Sequence, residues 1–129
     1  MFLFIRVVCH PLAVIDLPST WDAVAQAAIG SVDTIWLVLA PEVGSLQSTL
    51  GALRALKAAK VPDEKVELIA NQNMPRPSLA LPAIEKALGH SFKGKLPYDE
   101  NQNTALGQGA PLLLSQPDSP LAAAIQALV

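Results

Sequence analysis

The chain has 129 residues, with a hydrophobic fraction of 51%, a charged fraction of 16% and a formal net charge of −2. Those values describe one globular domain with an aliphatic core and exclude a disordered polar chain. The charge balance gives no electrostatic case for nucleic acid or an anionic lipid surface, so neither is expected as a partner.

The opening "FLFIRVV" reads as a strand. It is broken by Arg6, is too short to span a bilayer and lacks the basic start of a signal peptide, so no transmembrane segment is expected and the protein reads as cytoplasmic. Cys9 is the only cysteine, which leaves no intrachain disulfide and favours a reducing compartment. It adjoins His10, but no further Cys or His completes a ligand set, so a buried structural cysteine is the plainer reading. Residues 12–17, "LAVIDL", predict a strand with Asp16 at its far end. Ser19, three residues before Asp22, predicts a capping-box-like start for a helix over residues 23–29. Trp21, in that first turn, is a candidate partner contact. Residues 34–40, "TIWLVLA", predict a buried strand with Trp36 in the core. Leu46, Leu50, Leu53 and Leu56 recur at helical spacing, and their helix ends before Pro62. Arg54, Lys57 and Lys60 mark its solvated face. Residues 65–70, "KVELIA", predict another buried strand. Pro82 suits a first helical turn, Ile84 and Leu88 share a face, and Gly89 supplies the stop. His90 then reads as a surface residue. Residues 91–97 form a weaker strand pattern, and Ser119 with Pro120 opens a last helix carrying Leu121, Ile125 and Leu128. Strand and helix alternating at this spacing predict an α/β fold, a parallel sheet with flanking helices in three αβα layers.

Ligands of open parallel sheets bind beyond the carboxyl ends of the strands. Four such ends are read from the pattern: Asp16-Leu17-Pro18, Ala40-Pro41-Glu42, Asn71-Gln72-Asn73 and Pro97-Tyr98-Asp99. Turns alone favour Asn, Asp and Pro, so each position also has a purely structural explanation. Asp16 is the leading candidate, because a carboxylate at a buried strand tip is what phosphate-binding ATPases use to hold Mg²⁺. In a receiver domain a strand-end aspartate instead accepts phosphate.

Taken in order, "VIDLPSTWD", "VDTIWLVLAPEVGSLQSTLGALRALK", "ELIANQN", "IEKALG", "LPYDENQNTALGQGAPL" and "SPLAAAIQAL" resemble the MinD/ParA group of deviant-Walker ATPases. The pattern is most similar to its CpaE/TadZ pilus-assembly branch. The resemblance covers about residues 12 to 129 and rests on order and spacing rather than on any one motif. It implies a partial P-loop NTPase fold corresponding to the C-terminal half of that ATPase domain. It implies ATP and Mg²⁺ as cofactors, with Asp16 as the switch aspartate that senses Mg²⁺ and the γ-phosphate and Pro18 in the same switch. It implies Asn71 as the amide that reads the adenine edge, and Pro97, Tyr98 and Asp99 as the loop over the base. Partners would be proteins of a pilus or secretion machine and a second copy, in a homodimer around nucleotide. The location would be cytoplasmic, polar or membrane-associated through those partners.

The chain departs from the family where the family carries "KGGxGK(S/T)", the loop whose backbone N–H groups and lysine cradle phosphates. No such motif occurs in these 129 residues. Phosphoryl transfer is catalysed by positioning and charge stabilisation, so hydrolysis by this chain alone is not expected. Gln72 stands where relatives often carry arginine. Three readings follow: an ATPase-related protein acting through partner binding, half of a nucleotide-binding ATPase completed by another chain, and a receiver-like signalling domain with Asp16 as acceptor. The receiver needs further carboxylates, and no acidic residue precedes Asp16.

Overall fold

A computed structural model describes residues 2–5, 14–18 and 20–128. Cys9, His10, Leu12, Ala13 and Ser19 lie outside them. Among the described residues eleven elements follow in order: β1 (Phe2–Ile5), α1 (Ala23–Gly30), β2 (Ile35–Leu39), α2 (Val43–Ala58), a 3₁₀ turn (Asp63–Lys65), β3 (Val66–Asn71), α3 (Leu81–Leu88), β4 (Phe92–Leu96), α4 (Asn101–Gly107), α5 (Leu112–Ser115) and α6 (Pro120–Gln126). The sheet order is β1-β2-β3-β4. β2, β3 and β4 pair in parallel, which makes this the α/β architecture expected from the sequence. β1 is the strand expected at the start, but it runs antiparallel to β2, with Phe2 opposite Val38.

Burial explains the parallel strands. Ile35, Leu37 and Leu39 alternate with half-buried Trp36 and Val38 along β2. With Leu68 of β3 they form one core with Ala25 and Ile29 of α1, Leu56 of α2, and Ile84 and Leu88 of α3. Leu46, Leu50 and Leu53 pack against it, so the leucine spacing read from the sequence is the buried face of α2. Arg54, Lys57 and Lys60 are exposed, as a solvated face requires. α2 closes with Lys60 at φ 59° and with Val61 N–H donating to Leu56 O, and Pro62 then prevents continuation. α3 stops at Gly89, whose φ of 70° is the left-handed conformation that glycine adopts without steric cost. A smaller cluster of Ala105, Leu112 and Leu121 joins α4, α5 and α6 to Leu96 at the end of β4. Gly94 leaves room for the Leu128 side chain, whose tip an added Cβ would displace. No helix among the described residues is long and apolar enough to cross a membrane.

Three local expectations are corrected. Val14, Ile15 and Asp16 form no regular strand, and only Leu17 makes an isolated bridge. The cap of α1 is Asp22 itself, whose carboxylate accepts from Ala25 N–H at 2.8 Å. Trp36 is not core: it is half-buried, and its indole N–H donates to Glu67 at 2.8 Å on the next strand. Glu67 also pairs with Lys93 on β4 at 3.6 Å. A polar row thus crosses the sheet where an apolar run suggested continuous burial. α4 and α5 were not read from the sequence.

Candidate functional site

The parallel ladder brings two of the predicted strand ends together. Asn71, the last residue of β3, stands in register with Leu96, the last residue of β4. Gln72 N–H extends the ladder one step further, donating to Leu96 O at 2.9 Å. Asn71 is therefore fixed beside the turn that begins with Pro97, Tyr98 and Asp99, and all four residues are half-buried. Among the described residues the Asn71 side-chain amide has no hydrogen-bond partner, so its donors and acceptor remain available. Asp99 is differently placed. Its carboxylate accepts from the Asn101 backbone N–H at 2.9 Å and from the Asn101 amide at 3.2 Å, an Asx-type turn that opens α4. The ordinary turn-forming role is visible there.

The third strand end is stitched to this pair. After β2, buried Pro41 accepts from Leu79 N–H at 3.0 Å, and Ser45 Oγ accepts from Ala40 N–H at 3.1 Å. The Gln72 side chain donates to Met74 O at 3.2 Å and reaches Pro75 O at 3.5 Å. Sequence reading missed these ties. Their one visible signal was a second amide directly after Asn71, followed by two prolines.

Asp16 and Pro18 are exposed, and the residues around them explain how they are held. Ile15 packs against the main core and Leu17 lies within it, so alternation turns Asp16 outward between two apolar anchors. No hydrogen bond or ion pair among the described residues engages the Asp16 carboxylate, and none joins it to Asn71. The described residues contain no group of three His, Cys, Asp or Glu able to enclose a metal. Asp16 thus offers one carboxylate, which is the protein share typical of Mg²⁺ bound mainly by water and phosphate. Between its segment and α1 opens a shallow groove of about 610 Å³ lined by Ile15, Leu17, Val24 and Ala28 among others, an apolar surface unsuited to a charged ligand. Trp21 is 39% exposed at the approach to α1. The β3–β4 end places one unpartnered primary amide beside a proline and a tyrosine, and Asp16 offers one negative charge elsewhere. Among the described residues the arrangement assembles no nucleophile and base.

No protein-family model matches the chain. The chain is similar to a ParA family ATPase from Chlorobium tepidum, at 26% identity and a TM-score of 0.74 over 84% of this chain and 47% of that one. It has the fold of ParA- and MinD-type ATPases. A septum site-determining protein MinD from Pyrococcus horikoshii, solved with Mg-ADP, matches at a TM-score of 0.72 and 24% identity, covering 88% of this chain and 46% of that one. An uncharacterized ATP-binding protein of Methanocaldococcus jannaschii is 29% identical over 116 residues, which are 88% of this chain and 43% of that protein. The chain therefore spans less than half the length of the relatives it matches.

Proposed function

We propose that these residues form the C-terminal half of a MinD/ParA-type nucleotide-binding domain whose ligand is ATP with Mg²⁺. The observation that carries this reading is the unpartnered Asn71 amide, held by parallel pairing beside Pro97 and Tyr98. A primary amide donates and accepts at once, which suits the edge of an adenine ring, and Pro97 and Tyr98 supply apolar surface for its face. Asp99 supports the same wall indirectly, by folding the turn into α4. Asp16, with Pro18 in the same segment, would meet the metal side of the ligand, where Mg²⁺ would neutralise phosphate charge. These residues bind and orient. The phosphate-cradling loop would come from further chain, in the same polypeptide or a separate one, and hydrolysis would require it.

Within that family the order of motifs favours the CpaE/TadZ branch, with a role in pilus assembly or secretion exerted through protein partners and a homodimer formed around nucleotide. The exposed Trp21 is a suitable contact for such a partner. The polar or membrane-associated location belongs to that same reading.

Thermal unfolding of the purified chain with and without MgATP tests the nucleotide site, because a ligand that binds only the folded state raises the midpoint by mass action. The expected result is an upward shift that Asn71→Ala removes and Asp16→Ala reduces. A cooperative transition indifferent to MgATP would overturn nucleotide binding by these residues and favour an interaction domain. Absence of a cooperative transition would mean that the fold needs its complementary chain.

A further inference from the structure

Gln72 is tied to its surroundings by both its backbone and its side chain. Its N–H donates to Leu96 O at 2.9 Å, while its side-chain amide donates to Met74 O at 3.2 Å and reaches Pro75 O at 3.5 Å. Residues 73–78 are all exposed and include Pro75 and Pro77, which have no N–H to donate. Among the described residues, the next hydrogen bond from this loop to the body is Leu79 N–H to Pro41 O at 3.0 Å. The Gln72 side chain is therefore the polar anchor at the start of the loop that borders Asn71.

We infer that Gln72 is a positioning residue for base recognition at Asn71, an inference that rests on the nucleotide reading above. A single side chain with two N–H donors holds two successive carbonyls, which fixes the path of the loop as it leaves β3. Those carbonyls lie three and four positions beyond Asn71, in the same loop. Engaged by Gln72, they do not compete for the Asn71 N–H donors, which stay available to a ligand. Released, they offer Asn71 a local alternative to the base, as side-chain amides beside free backbone acceptors readily take.

The test uses ¹H–¹⁵N NMR titration of the full chain with adenosine, an uncharged probe that leaves phosphate electrostatics out of the comparison. The wild type should show displaced Asn71 side-chain amide signals on titration. Gln72→Met keeps the length and removes the donors, so it should bind adenosine about three- to tenfold more weakly, the range of one or two ordinary hydrogen bonds. Its urea midpoint should be unchanged, and its Met74–Pro75 turn signals should broaden or move. Gln72→Arg restores donors to the same carbonyls and should recover affinity to within about twofold, given similar hydrogen bonding. Adenosine that leaves the Asn71 signals of the wild type unmoved would overturn the nucleotide reading and this inference with it. Wild-type binding matched by Gln72→Met, or an arginine that fails to rescue in a folded chain, would overturn the inference alone. If Gln72→Met lowers the urea midpoint, Gln72→Ala is titrated beside Gln72→Arg, and failure of arginine to recover affinity again overturns it.

Discussion

Asn71 and Asp16 were read as parts of one site, yet the fold holds them by different means. Asn71 belongs to a hydrogen-bonded ladder, with β2 and β4 paired along the same run of sheet and the ladder continued by Gln72. Asp16 sits in a segment outside the regular sheet, held by Ile15 and Leu17 reaching into the core. A ladder fixes backbone position residue by residue, whereas two apolar anchors fix a segment only as firmly as their burial allows. Asn71 should therefore be rigid, while Asp16 should move with local opening of its segment.

The largest effect that tests this difference lies in the ladder itself. Leu68→Ala removes a 1% exposed side chain from the middle of β3 and should cost about 2–5 kcal/mol, the usual range for a leucine cavity in a close-packed core. Urea denaturation should show that loss as global, with Asn71 amide exchange accelerated together with the rest of the sheet. Exchange at Asn71 that rises alone would show the ladder to be weaker than its pairing suggests. Leu17→Ala, at 5% exposure, should cost less, about 2 kcal/mol, because a segment outside the sheet can collapse to fill part of the cavity. Its signature should be local: exchange around Asp16 should rise well before that of β3. Equal effects on both regions would abolish the contrast.

Legibility in the sequence follows the same division. β3 was visible because a buried parallel strand is largely apolar, and "KVELIA" has little other explanation; β4 was only weakly visible, because exposed Lys93 and Lys95 alternate with half-buried Phe92, Gly94 and Leu96. Placing Asn71 and Pro97 at strand ends then required only that the two strands be neighbours. Residues 14–17 of "LAVIDL" were misread as strand because Ile15 and Leu17 serve as anchors and point inward whether or not a ladder accompanies them. Trp36 misled in the same direction. Its apolar neighbours are core, but its indole N–H needed an acceptor, and Glu67 across the sheet supplied one that no local pattern could reveal. The ties made by Gln72 and Leu79 were illegible for a simpler reason, since a loop's hydrogen bonds depend on its path and not on residue spacing. α4 and α5 are short, and their burial depends on β4 and α6 rather than on a periodic stripe of their own.

At the foot of the Asp16 segment, Asp22 turns the chain into α1. Asp22→Ala should cost about 1 kcal/mol by leaving Ala25 N–H without its cap, and Asp22→Asn should recover most of it because asparagine caps as well as aspartate. Full loss in the asparagine variant would mean that the negative charge, rather than the hydrogen bond, supports this end of the helix. Asp16 is the sharpest contrast with it, though the two aspartates lie only six positions apart in the chain. Asp16 accepts no hydrogen bond among the described residues and is exposed, so Asp16→Ala should change stability by no more than about 0.5 kcal/mol. A carboxylate that does nothing for the fold is available to a ligand's metal. If Asp16→Ala is neutral by urea denaturation yet lowers the MgATP-induced rise in unfolding midpoint and leaves adenosine binding unchanged, the charge side and the base side are separable functions of one sheet edge. If it destabilises the chain as Asp22→Ala does, Asp16 is a structural residue of its own turn, and the metal side of the site must be sought elsewhere.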